Sequence, residues 1–168
     1  IVTSESLRIA GDKIDLDIIK YIRKRYNLEI GPITAENLKQ NIGCAMPLMT
    51  ELEMTVKGRD LSTGFPVAIQ VSSDEMEIAM KKCINQIADE IKNLLERTPP
   101  EIVSDIVETG IVLSGGGALI KDIDKYASER GIELIPCVQT LGHFTALVKN
   151  AEFSSVVDDK DVLLDRKS

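Results

Sequence analysis

Three consecutive glycines, Gly115, Gly116 and Gly117, close the run Ile111-Val112-Leu113-Ser114-Gly115-Gly116-Gly117-Ala118-Leu119-Ile120. The apolar residues before them read as a short strand, and a helical pattern follows. Glycine has no Cβ, so the backbone can turn sharply and approach a ligand closely. The start of the next helix would add unpaired N–H groups and the positive end of a dipole. Together these suit a phosphate or a nucleotide. A tight strand-to-helix turn needs the same glycines and no ligand, so the triplet alone leaves both readings open.

The remaining reactive side chains point away from other chemistries. Cys44, Cys83 and Cys137 are widely spaced and form no C-x-x-C, as expected of reduced thiols in a cytosolic protein. His143 is the only histidine, which argues against a Cys/His metal centre. A serine–histidine–aspartate triad would have to use His143, and no nucleophile motif accompanies it. A net charge of −7 disfavours nucleic-acid binding by charge alone. Trp is absent and aromatics make up only 4%, so a base-stacking platform is not expected. The apolar runs are too short to span a bilayer, and the opening Thr3-Ser4-Glu5-Ser6 does not read as a secretion signal. At 168 residues, the chain suits one domain or two small lobes with a sizeable core.

The elements that would position these residues follow from periodicity. Leu7-Arg8-Ile9-Ala10 reads as the end of a strand, and Gly11-Asp12 as a turn and helix cap. Ile14, Ile18, Ile19, Ile22 and Tyr26 then share a helical face, and Arg23, Lys24 and Arg25 complement the end of that helix dipole. After Gly31-Pro32, Thr34 is expected to cap a short helix from Ala35 to Ile42. Leu52, Met54 and Val56 alternate with polar residues, as do Val67, Ile69 and Val71 with Ala68 and Gln70; Arg59 to Gly64 joins them as a hairpin. Ser72 and Glu75 form a capping box. A long helix follows to about Arg97, with Met76, Met80, Cys83, Ile87, Ile91, Leu94 and Leu95 as its stripe. Pro99-Pro100 starts another helix and Gly110 closes it. Beyond the triplet come a helix with Ile120, Ile123 and Tyr126, a strand Ile132-Glu133-Leu134-Ile135, and an apolar helix from Leu141 to Val148. The helix–hairpin unit looks like an insertion within one α/β lobe.

Several ordered motifs carry a resemblance. They are Ser6-Leu7-Arg8-Ile9-Ala10-Gly11-Asp12-Lys13-Ile14-Asp15, Thr34-Ala35-Glu36-Asn37-Leu38-Lys39-Gln40-Asn41-Ile42-Gly43, Val56-Lys57-Gly58-Arg59-Asp60-Leu61-Ser62-Thr63-Gly64-Phe65-Pro66, Thr98-Pro99-Pro100-Glu101 and the glycine run. Over roughly residues 4–150 the chain resembles the C-terminal half of the MreB family of bacterial actins. The resemblance implies an α/β, actin-like (ribonuclease H-like) C-terminal lobe with an inserted α+β outer subdomain. Residues 1–30 and 73–150 would form the inner subdomain, 31–72 the outer one, and 151–168 a tail.

The resemblance also implies function. Such proteins bind ATP with Mg, hydrolyse it, self-associate into membrane-associated cytoplasmic filaments and guide cell-wall synthesis. Carried over, Gly115, Gly116 and Gly117 would border the sugar and phosphates, Glu36 and Lys39 would meet ribose and adenine, and Gly11 would line the cleft. Without the resemblance, Glu36 and Lys39 read as a solvated surface pair. A membrane adaptor of the RodZ kind is an expected partner, with Glu101, Asp105 and Glu108 as exposed acidic positions. Two departures bear on activity. The family's phosphate hairpins, Mg ligands and membrane segments belong to sequence before Ile1, so the chain reads as a fragment with no efficient hydrolysis of its own. Lys149-Asn150-Ala151-Glu152 stands where the family has Gly-Thr-Gly. The alternative is a scaffold or docking module that has lost nucleotide use. A sugar-kinase or chaperone lobe of the same superfamily fits the Gly58–Pro66 loop less well.

Overall fold

The computed structural model describes residues 4–7 and 9–137. His143, the expected Leu141–Val148 helix, the Lys149–Glu152 stretch and the 151–168 tail lie outside the described residues.

Helix α1 (Gly11–Tyr26) buries Ile14, Ile18 and Ile22, the face its periodicity predicts. It begins at Gly11 itself, with extended Ala10 as its cap and no side-chain cap, rather than after a Gly11-Asp12 turn. Among the described residues, Leu7, Ile9 and Ala10 belong to no strand, in contrast to the strand end expected at Leu7–Ala10. Asn27 ends α1 in the left-handed region at φ 53°. Asparagine tolerates that conformation better than most side chains. Strand β1 (Leu28–Glu29) follows.

Helix α2 (Pro32–Ile42) starts two residues before its expected cap, Thr34, which lies within it. Pro32 has φ preset for a first helical position and no N–H to leave unpaired, so Gly31 takes the cap. Strands β2 (Glu53–Asp60) and β3 (Pro66–Ser72) pair antiparallel, with Met54 opposite Val71 and Val56 opposite Ile69. Those four residues turn their alternating face inward. β1 pairs with the far end of β2, giving the sheet order β1-β2-β3.

Helix α3 (Ser73–Arg97) opens on the expected capping box. Glu75 N–H donates to Ser72 Oγ at 3.4 Å, and Ser72 N–H donates back to Glu75 Oε2 at 3.2 Å. Its first half buries Met76, Met80, Cys83 and Ile84, while Ile87, Ile91, Leu94 and Leu95 are only half-buried. Helix α4 (Pro100–Thr109) buries no residue fully and ends at Gly110, where φ is 74°. Strand β4 (Ile111–Ser114) pairs in parallel with β5 (Leu134–Cys137), two residues later than the strand expected at Ile132.

The helix expected directly after the glycines is not there. A 3-10 turn (Gly116–Leu119) follows instead, and α5 (Ile123–Ser128) begins only after Asp122. Ile120 and Asp122 break the run: one is extended, the other left-handed at φ 55°. One apolar cluster joins these parts, from Ile18 and Leu38 through Val56 and Met80 to Ile120 and Tyr126.

Candidate functional site

The glycine turn is open backbone. Gly115 has φ 90°, a conformation that side chains rarely adopt. A Cβ built on Gly115, Gly116 or Gly117 would meet nothing within 4 Å. No packing demand from the described residues therefore explains the triplet. In a 3-10 turn the first N–H groups find no partner inside the turn. Those of Gly116 and Gly117 hold these positions, while Ala118 N–H already bonds the Gly115 carbonyl at 3.1 Å. The open donors come from this turn, not from the start of a long helix, which corrects the dipole expected from sequence.

Lys121, beyond the glycine turn, is joined to the end of α2 and the residues after it. Its N–H reaches the Gly43 carbonyl at 3.4 Å, its carbonyl accepts from Ala45 N–H at 2.9 Å, and its ammonium donates to the Asn41 carbonyl at 2.8 Å. Gly43 has to be small: a Cβ there would stand 2.2 Å from the Lys39 carbonyl oxygen.

Lys39 and Gly11 are brought together directly. The Lys39 ammonium lies 2.8 Å from Asp15 Oδ1 and 3.4 Å from the Gly11 carbonyl. Glu36, one turn earlier, is exposed and accepts from Gln40 Nε2 at 3.2 Å. Glu36 and Lys39 thus do not pair with each other. Lys39 turns toward α1 and Glu36 stays outward. The spacing revealed their common helix but not Asp15, the partner across it. A groove of about 260 Å³ beside Asp15 is lined by Asp12, Leu16, Ile19 and Pro32. A separate hollow of about 180 Å³ touches none of the expected residues. Of its charges, Lys81 pairs with Glu77, and Arg130 stacks over the Tyr126 ring at 3.6 Å.

The buried thiols carry no reactive chemistry. Burial first, and the hydrogen bond to Asp17 second, push Cys83 up to about 11; burial does the same for Cys44. A thiol so raised stays protonated and is a poor nucleophile. Among the described residues, no group of three or more His, Cys, Asp and Glu is placed to hold a metal ion. Nor is any described helix long and apolar enough to cross a membrane.

Comparison with solved structures places this arrangement in a class. The chain aligns with MreB5 of Spiroplasma citri bound to ADP at a TM-score of 0.79 and 35% identity, covering 94% of this chain and 49% of that one. The same protein bound to AMPPNP matches at 0.79 and 36%. The MamK double helical filament aligns at 0.62 with 21% identity over 78% of this chain, a likeness of fold alone. The fold is therefore actin-like α/β.

The family itself follows from sequence. The MreB/Mbl protein family matches residues 1–138. The cell shape-determining protein Mbl of Bacillus cereus is 43% identical over 129 residues, which is 77% of this chain and 39% of that protein. The cell shape-determining protein MreB of Escherichia coli is 40% identical over 136 residues, which is 80% of this chain and again 39% of that protein. The chain belongs to the MreB/Mbl family and spans about two-fifths of the length of these relatives.

Proposed function

We propose that this chain is the C-terminal half of an MreB-type cytoskeletal protein and supplies one wall of its ATP cleft. In this reading residues 1–30 and 73–150 form the inner subdomain of the lobe and 31–72 the outer one. The observation that carries the proposal is the glycine turn: three residues with vacant space where side chains would stand, at the end of a parallel strand. That cradle fits a ligand whose phosphates and sugar press against backbone. Gly115, Gly116 and Gly117 border them, Gly11 lines the cleft, and Glu36 and Lys39 meet the ribose and base. The relatives bound to ADP and AMPPNP support the choice of ligand. When bound, ATP supplies the hydrolysable phosphoanhydride. Its Mg ligands are assigned to the N-terminal half of the whole protein, as are the membrane contacts.

The whole protein then self-associates into membrane-associated filaments that set cell shape, and that last role is in keeping with the names of Mbl and MreB. A RodZ-like adaptor is proposed for α4, where Glu101, Asp105 and Glu108 are all exposed. Calorimetric titration of the chain with Mg-ATP tests the cleft. Saturable binding that disappears in Glu36→Ala/Lys39→Ala supports it. No binding moves the assignment for this chain to a scaffold or docking module that does not use nucleotide.

A further inference from the structure

Asp15 is the carboxylate that Lys39 meets. Its Oδ1 is sealed from solvent and makes no hydrogen bond apart from the 2.8 Å ion pair with the Lys39 ammonium. The two side chains are only 13% and 15% exposed. The ammonium also lies 3.4 Å from the Gly11 carbonyl, and a Cβ on Gly11 would stand 3.2 Å from it. Thus α1 contributes a carboxylate, a carbonyl and a residue without a side chain, while α2 contributes the cation. Asp17 does not offer an alternative, because Lys13, Lys20 and the Cys83 thiol already surround it. A lysine stem has several rotatable bonds and loses much freedom when one orientation is imposed. Asp15 imposes it.

We propose that Asp15 is a positioning residue of the nucleotide cleft, holding the Lys39 ammonium between α1 and α2. What Lys39 then meets rests on the nucleotide reading above; that Asp15 holds it does not. Lys39 enters the cleft as half of a neutral pair. It therefore contributes direction to the ribose and base rather than free positive charge to the phosphates. Its contribution is the same for ADP and ATP.

The test uses Asp15→Asn, Lys39→Ala and the charge-swapped Asp15→Lys/Lys39→Asp, each checked by circular dichroism and thermal unfolding. Limited acetylation of lysines, read by peptide mass spectrometry, measures the hold without ligand. Lys39 should react several-fold more slowly than exposed Lys92 and catch up in Asp15→Asn. Equal Lys39 labelling in wild type and Asp15→Asn overturns the proposal. Titration with Mg-ATP and with Mg-ADP gives the second readout. Asp15→Asn should weaken both by about tenfold, the loss expected when one charge-assisted hydrogen bond is misdirected. The swapped variant should regain thermal stability but not affinity. If it regains affinity as well, the pair is a tie between helices and the positioning role fails. If wild type binds neither nucleotide, the cleft reading fails by itself, and the labelling alone decides whether Asp15 holds Lys39.

Discussion

Two regions of this chain are built to different standards of closure. In the first, α1, α2, the β1-β2-β3 sheet and the front half of α3 seal one another: Ile18, Ile22, Leu38, Met76, Met80 and Val71 are fully buried. In the second, α4 and the β4–β5 pair leave Val107, Val112 and Leu119 at 73%, 61% and 59% exposed. The glycine turn belongs to the second region, and Lys39 hangs from the first. The proposed cleft would thus be drawn from both: one wall sealed, the other open-backed. Apolar burial fixes geometry where it is complete, while ligand access needs backbone that nothing covers.

Truncation in the sealed region should break this contrast most. Leu38→Ala should cost about 3 kcal/mol in urea unfolding, whereas Val112→Ala should cost about 0.5 kcal/mol or less. Comparable losses would mean that the second region is as well packed as the first. Glycines sharpen the same comparison. Gly58→Ala would set a Cβ 2.6 Å from the Glu29 carbonyl oxygen and 2.7 Å from Leu28 Cγ, and should cost about 2 kcal/mol. Gly116→Ala and Gly117→Ala meet open space; their thermal unfolding should hardly move while nucleotide binding falls. Ser72→Ala removes one half of the capping box and should cost about 1 kcal/mol.

The smallest effect is a pH dependence. Tyr26 Oη donates to both Glu75 oxygens at 2.7 and 2.8 Å. Burial first, and Glu75 second, raise its pKa from 10.0 to about 12. The folded state therefore keeps a proton that the unfolded chain gives up. The stability from this group is full below pH 10.0 and is lost as pH rises toward about 12. Alkaline unfolding curves of Tyr26→Phe should be flatter over that window than those of wild type; parallel curves would remove Tyr26 from the account.

Much of this was legible in the residues themselves. The Ser72–Glu75 box, the period-two hairpin and the stop at Gly110 are local devices; the box and the stop form as read, and the hairpin forms with Val67 left exposed and with Arg59 and Asp60 in its first strand rather than its loop. The misreadings have a common cause in backbone competition. Pro32 outcompeted Thr34 for the start of α2, and Asp122 adopted a left-handed turn that splits the helix expected after the glycines. The Lys39–Asp15 pair was invisible for another reason. It depends on how α1 packs against α2, and no spacing within either helix announces it. The acidic residues of the Gly11-to-Asp15 motif were the one available signal, and Asp12 among them reads equally well as a first-turn dipole partner.

The Lys121 seam bears on how the molecule is assembled in time. Its ammonium meets the Asn41 carbonyl across 80 positions of chain, and Cys44 and Lys121 form a single parallel bridge. Helices, the tight hairpin and the α1–α2 pairing can all form from nearby segments, whereas this stitch must wait for a long loop to close. Such closure is costly in chain entropy, so the seam is expected to set late in folding. Lys121, and with it the exit from the glycine turn, is then expected to reach its place at the end of α2 after the local elements are in order.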